Sequence, residues 1–228
     1  MPETTKEPQY NPCFQQYIRS PEQLGIMSGW VWHENPVRLL FTIARYKFVA
    51  KMFSKMNKVL EVGCADGFGS RIVRQEVRNL TAIDFDPLFI QDACKHATPD
   101  WPITFKVHDM LSSPIPEGFD GVFSIDVLEH IFPGRDEKLF ISNIIGSLTA
   151  NGVMLVGTPT IESQIYASEI SKAGHVNVKD GPGLRELLSQ FFANVFIFSM
   201  NDELVHTGFQ HMAHYLFGLC CCPKARNK

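Results

Sequence analysis

Lys58-Val59-Leu60-Glu61-Val62-Gly63-Cys64-Ala65-Asp66-Gly67-Phe68-Gly69-Ser70 is the stretch whose reading decides the fold. A short run rich in Val and Leu reaches an acidic residue and breaks at Gly63. It then turns through small residues to Gly67 and Gly69, and a helical pattern follows through Ile72 and Val73. These residues predict a strand, a glycine turn and a helix. Such a turn lets a ligand approach bare backbone, because glycine has no Cβ to block it and tolerates φ > 0.

Downstream the pattern repeats. Leu80 to Asp86 reads as a second apolar strand ending in a carboxylate, and Asp86 is placed to cap a helix over Pro87 to His96. A third strand over 103–107 ends at His108-Asp109-Met110. Pro114, Pro116 and Gly118 mark a loop before a fourth strand, Phe119 to Asp126. A helix over 136–148 should stop at Asn151-Gly152, and Val153 to Gly157 should form a fifth strand. Strands alternating with helices imply a parallel sheet covered on both faces, with ligands at the carboxyl ends of its strands. The last third changes character, with a helix over 184–191, a strand over 195–198 and a strand or strand pair over 209–219.

Upstream, Leu40, Ile43, Ala44, Phe48 and Met52 recur at helical spacing and predict a helix over 37–53. Its outer face, Arg38, Arg45, Lys47 and Lys51, is expected to be solvated. The first 35 residues are expected to form a loop or short helices folded over a pocket. Trp30, Trp32 and His33 are candidates for its wall, and at least one tryptophan should anchor this lid in the core.

A chain of 228 residues is one domain by length and can bury about 70% of its extended surface. Apolar residues make up 45% and charged residues 20%, which suits a packed core. A net charge of −3 without a basic block argues against a nucleic-acid surface. The polar start, Met1 to Glu7, lacks a signal-peptide core, and no run of about 20 apolar residues occurs. A cytoplasmic protein with a small-molecule substrate and no membrane or nucleic-acid partner is expected; a homodimer is compatible with this. Cys13, Cys64, Cys94 and the adjacent Cys220, Cys221 and Cys222 form no C-x-x-C pair and read as reduced thiols, the last three in a tail.

The turn separates two ligand classes. A dinucleotide fingerprint needs G-x-G-x-x-G, but Ala65 stands in place of the second glycine, and Glu61 and Asp66 put negative charge where a pyrophosphate would lie. A ligand bearing an ammonium and a sulfonium would be attracted instead. The pattern E-x-G-x-x-x-G resembles motif I of the class I S-adenosylmethionine (SAM) dependent methyltransferases. The resemblance covers about Lys58 to Leu219. It implies a Rossmann-like three-layer α/β sandwich with a mostly parallel seven-stranded sheet and a C-terminal antiparallel hairpin. One methyltransferase domain over 1–228 then divides into a lid and helix (1–53), a SAM-binding core (58–219) and a tail (220–228).

By resemblance, Gly63, Cys64, Ala65 and Gly67 lend backbone to the methionine end of SAM, and Glu61 or Asp66 supports its amino group. Asp84, beside Phe85 and about twenty residues beyond the turn, can accept the ribose hydroxyls, as acidic residues do in nucleotide-binding sheets. Asp109 matches the family residue that accepts from the adenine amino group, with Met110 packing beside the ring. Asp126 and Val127 lead into Leu128-Glu129-His130, which looks like the family segment running under the sulfonium. Asp126, Glu129 and His130 also share the D/E-x-x-E-H spacing of metal-binding ubiquinone-pathway O-methyltransferases. Glu-His at this point is also common in relatives that use no metal, where the pair orients helices or the substrate, and no metal is the expectation here.

Methyl transfer asks the protein to hold a nucleophile in line and exclude water. A hydroxyl nucleophile must also lose its proton, a task suited to a histidine. The candidates are His130, His175 and His206, with His211 and His214 in the same late cluster; strand alternation would send His211 and His214 to opposite faces. The expected function is methyl transfer from SAM to a small metabolite or sugar-like acceptor at oxygen, with S-adenosylhomocysteine (SAH) as product. Attack by nitrogen or carbon and a non-catalytic SAM-binding subunit are the alternatives. A nicotinamide-dependent oxidoreductase would need the glycine that Ala65 replaces.

Overall fold

The computed structural model describes residues 4–224. Two helices, α1 (Asn11–Arg19) and α2 (Ile26–Glu34), precede the long α3 (Pro36–Met52), and β1 (Lys58–Val62) then leads through the glycine turn to α4 (Ser70–Arg74). There follow β2 (Asn79–Asp84), α5 (Pro87–Lys95), β3 (Thr104–Val107), β4 (Phe119–Ile125), α6 (Arg135–Ser147) and β5 (Leu148–Pro159). The last third holds α7 (Glu169–Gly174), α8 (Gly181–Ser189), β6 (Phe192–Asn201), β7 (Leu204–His206) and β8 (Tyr215–Pro223).

The strands form one sheet in the order β3-β2-β1-β4-β5-β8-β6-β7. Strands β3 to β5 pair in parallel, and β8, β6 and β7 add antiparallel. This is the expected Rossmann-like architecture with eight strands rather than seven, because Leu204–His206 turns back onto the end of β6. The order reverses between β1 and β4, so their carboxyl ends bound a crevice.

Each face of the sheet has its own core, as the two-residue strand period requires. Leu60 and Val62 join Phe140, Ile144, Leu184 and Leu188 on one side. Val59 joins Tyr46, Val49, Ala50 and Phe53 of the α3 segment on the other. That stripe is not the one anticipated: Leu39, Tyr46, Val49 and Ala50 are the buried residues of α3, while Leu40 is exposed. The helix lies between the sheet and α2, so apolar residues cover several of its faces and periodicity alone does not select the innermost.

Asp86 caps α5 as expected, its carboxylate accepting from Leu88 N at 2.8 Å. Asn151-Gly152 does not end a helix; α6 stops at Ser147 and both residues lie in β5, whose ladder to β4 begins at Leu148. Cys220, Cys221 and Cys222 lie in β8 rather than a tail. Residues 225–228 of that expected tail lie outside the described residues. Among the described residues, no helix is long and apolar enough to cross a membrane.

Candidate active site

Glu61 is the candidate site residue that β1 positions. The pleat sends it to the α3 side with Val59, where the Tyr46 hydroxyl donates to its Oε1 at 2.7 Å. Gly69 has no Cβ at the place where the Tyr46 ring packs; a Cβ there would lie 2.3 Å from it. Glu61 is 1% exposed, and its Oε2 is buried with no hydrogen-bond partner among the described residues. Burial raises its pKa to about 7; the neighbouring Ser70 hydroxyl and the Tyr46 bond oppose this, and the charges of Asp84 and Asp66 add to it. A buried, half-satisfied carboxylate is costly unless a donor or cation meets it.

The turn itself is tightly specified. Gly63 has φ +83°, and a Cβ on it would lie 2.2 Å from Val127 Cγ2, so the ends of β1 and β4 meet through bare backbone. Gly63 N and Cys64 N both donate to Ile83 O. Asp84 secures the turn: its Oδ2 accepts from Ala65 N at 2.9 Å and its Oδ1 from Asp86 N at 3.0 Å. The Cys64 thiol is buried and its pKa driven up by desolvation, which removes it as a nucleophile. Phe85 is exposed beside the turn.

Asp66 differs from Glu61. Its Oδ2 accepts from Ser28 N at 2.7 Å and Ser28 Oγ at 2.8 Å, and its Oδ1 accepts from Phe68 N. Asp92 accepts from Ile26 N at 2.7 Å, so the start of α2 rests on two carboxylates that complement its unpaired amides. The lid residues Glu22 to Gly25 line a cavity of about 300 Å³ with Phe68, Trp101 and Phe105. Contrary to expectation, neither lid tryptophan is anchored in the core, since Trp30 and Trp32 are both exposed, as is His33.

Asp109 is exposed beyond β3, its Oδ1 accepting from Leu111 N at 2.8 Å. Met110 is buried in the core that contains Phe140, with its carbonyl accepting from Asn143 Nδ2.

At the end of β4, Asp126 takes a left-handed backbone conformation, φ +57°, that Asp tolerates better than most residues. Its Oδ2 lies 2.7 Å from Arg45 Nη1, and the Arg45 guanidinium stacks 4.0 Å from the Tyr215 ring centroid. The expected solvated face of α3 is therefore wrong at Arg45. The remaining members, Arg38, Lys47 and Lys51, are exposed. Glu129 is buried and accepts from the Thr158 hydroxyl at 3.2 Å. Desolvation, then the nearby Asp126 charge, holds its pKa well above the ordinary carboxylate range.

The loop after β5 is fastened to this point. Val176 N and Asn177 N both donate to Glu129 O, and Asn177 Nδ2 donates to Glu137 Oε2, which also pairs with Lys179. His175 thereby comes to His130, with ring centroids 5.2 Å apart. His130 is exposed and its Nδ1 lies 2.9 Å from Gly174 O; His175 is half-buried and its Nδ1 lies 2.8 Å from Gln164 Oε1. Burial, then proximity to His130, lowers the His175 pKa, which keeps the ring neutral at neutral pH. Among the described residues, Glu129, His130 and His175 each bring a donor atom to within 4.8 Å of one another.

His206 does not join them. It lies in the β6–β7 hairpin with its Nε2 2.8 Å from Asn201 Oδ1, and Asn201 in turn donates to Met212 O. His211 sits in a 3₁₀ turn, Gln210–Met212, so the expected strand alternation does not apply to it. Arg45, Tyr215, Glu129 and Gln164 are the site residues that sequence reasoning did not assign. Only Glu129 had a signal, its place beside His130.

Residues 60–156 match the family described as "Methyltransferase domain". The ubiquinone biosynthesis O-methyltransferase, mitochondrial, of Schizosaccharomyces pombe is 29% identical over 158 residues, 64% of this chain and 56% of the relative. The ubiquinone biosynthesis O-methyltransferase of Rickettsia felis is 29% identical over 147 residues, 62% of this chain and 57% of that protein. The chain thus spans a little over half the length of these relatives. A crystal structure of N-methyltransferase NodS from Bradyrhizobium japonicum WM9 in complex with SAH superposes with a TM-score of 0.63 at 18% identity, covering 93% of this chain and 98% of that one.

Proposed function

We propose that this chain, whose residues 60–156 match the methyltransferase-domain family, is a class I SAM-dependent methyltransferase that moves a methyl group to an oxygen of a small-molecule acceptor and releases SAH. The observation that carries the choice of oxygen is the meeting of His130 and His175 over the buried Glu129, just beyond the β4 end that packs on the cofactor turn. The O-methyltransferase relatives support the same choice.

The residues fit a cationic nucleoside. The unmet Glu61 Oε2 can take its ammonium, the bare backbone at Gly63 admits its methionine end, and Asp84 stands at the neighbouring strand end for a ribose. Asp66 is already committed to Ser28, which leaves Glu61 as the amino-group partner. When bound, SAM supplies an electrophilic methyl on a cationic sulfur. Asp126 and Val127 wall the crevice opposite the turn, and the Arg45 pair keeps Asp126 from adding an uncompensated charge. His175 accepts the proton of the acceptor hydroxyl, for which its lowered pKa keeps the ring neutral.

The test is incubation of the purified chain with methyl-labelled SAM and a panel of small phenols, alcohols and amines, beside calorimetric titration of SAM. Label in a hydroxylated acceptor, lost in His175→Gln, supports the reading. Label only in amines would shift the acceptor to nitrogen, and absence of SAM binding would leave a scaffold.

A further inference from the structure

A histidine can accept a proton only at the ring nitrogen that lacks one, and the surroundings of His175 decide which nitrogen that is. Gln164 lies in the 3₁₀ turn Glu162–Tyr166 that follows β5. Its side-chain Nε2 donates to Thr160 O at 3.0 Å. A carbonyl only accepts, so the NH₂ end of the amide must face Thr160, and Oε1 is left to face His175. Oε1 in turn only accepts, and it lies 2.8 Å from His175 Nδ1, so the hydrogen between them belongs to Nδ1. A neutral ring with Nδ1–H has its lone pair on Nε2.

His130 is set the same way. Its Nδ1 faces the carbonyl of Gly174, a second group that can only accept, and a Cβ on Gly174 would lie 3.2 Å from that nitrogen. Two histidines in edge contact thus share one tautomer, imposed by two unrelated acceptors. Only His175 is half-buried.

We propose that Gln164 is a positioning residue: it locks His175 as the Nδ1–H tautomer so that Nε2 removes the proton of the acceptor hydroxyl. In that step the O–H bond breaks, its electron pair stays on oxygen, and the proton joins the Nε2 lone pair to give an imidazolium with hydrogen on both nitrogens. The inference rests on the role given to His175 under the proposed function.

The experiment combines ¹⁵N NMR of histidine-labelled protein with steady-state kinetics. In the wild type, the resonance pair that disappears in His175→Gln should show an unprotonated Nε2 and a protonated Nδ1 when the ring is neutral. Gln164→Leu removes the acceptor, so the two resonances should move towards each other as the tautomers mix. The same variant should lose at least about tenfold in kcat with the KM for SAM unchanged, a part of the roughly 10²–10⁴ that a positioned base contributes. Gln164→Glu keeps an oxygen opposite Nδ1 but loses the donor to Thr160 O, so it should restore the Nδ1–H signature of the neutral ring while the His175 pKa rises. An Nε2–H signal in the wild type, or a Gln164→Leu spectrum identical to wild type, overturns the inference whatever the turnover. Full methyl transfer by His175→Gln together with the expected spectrum would instead overturn the base role itself.

Discussion

Arg45 and Asp126 form an ion pair of 2.7 Å across the β4 end, although 81 residues separate them in the chain. Burial opposes the Arg45 charge, but Asp126, Tyr215 and Glu129 outweigh it and raise the guanidinium pKa. The pair fixes α3 to the wall of the crevice and holds Asp126 in its left-handed conformation.

Removing the cation should therefore be felt in stability. Arg45→Met is expected to lower the unfolding free energy by about 2 kcal/mol. That is less than a fully buried pair would lose, because the Asp126 side chain is 37% exposed. Urea denaturation checks it, and an unchanged midpoint would show that the pair contributes nothing.

Gly63→Ala brings two separable faults. The positive φ costs a side chain roughly 1–2 kcal/mol, and the new Cβ collides with Val127. Adding Val127→Ala should recover the steric part and leave the conformational part. Thermal melts of the single and double variants should fall in that order, and equal melting temperatures would refute the clash.

Asp84→Ala should weaken SAM binding by about 1–3 kcal/mol through loss of charge-assisted hydrogen bonds. It also frees the amides of Ala65 and Asp86, so the turn itself loosens. Calorimetry that returned the wild-type Kd would reduce Asp84 to a staple of the turn.

If Glu61 holds the cofactor amino group as proposed, cofactor affinity should depend on pH. Its folded pKa of about 7 lies above its ordinary value of 4.5, so the folded protein binds a proton that the unfolded chain has released between those values. Stability falls as pH rises through that window and stays low above it. An ammonium ligand needs the ionised form, so SAM binding should strengthen about tenfold from pH 6 to pH 8 and release a proton below pH 7. Titrations in two buffers of different ionisation heat read that proton directly; a pH-independent Kd would dissociate Glu61 from the amino group.

Chelation should leave methyl transfer unchanged. The raised pKa of Glu129 favours a neutral carboxyl, which is a weak ligand, and this weakens the cluster as a metal site. Inhibition by EDTA that a divalent ion reversed would reassign the cluster.

The local chemistry of this chain was readable residue by residue. Gly63, Glu61 and the strand-ending Asp84 announce themselves because a turn that admits backbone to a ligand needs particular residues at fixed spacing, and neighbours in sequence build it. The alternation of strands and helices set the parallel sheet for the same reason. Arg45 read as a surface charge because helical periodicity records polarity and not what a later strand brings alongside, and only the folded sheet supplies Asp126 and Tyr215. His206 and His175 look equal in the sequence. The Glu129 carbonyl holds the loop that carries His175 to His130, while Asn201 keeps His206 in the edge hairpin, so the long-range backbone bonds of the tertiary structure, and nothing local, chose between them.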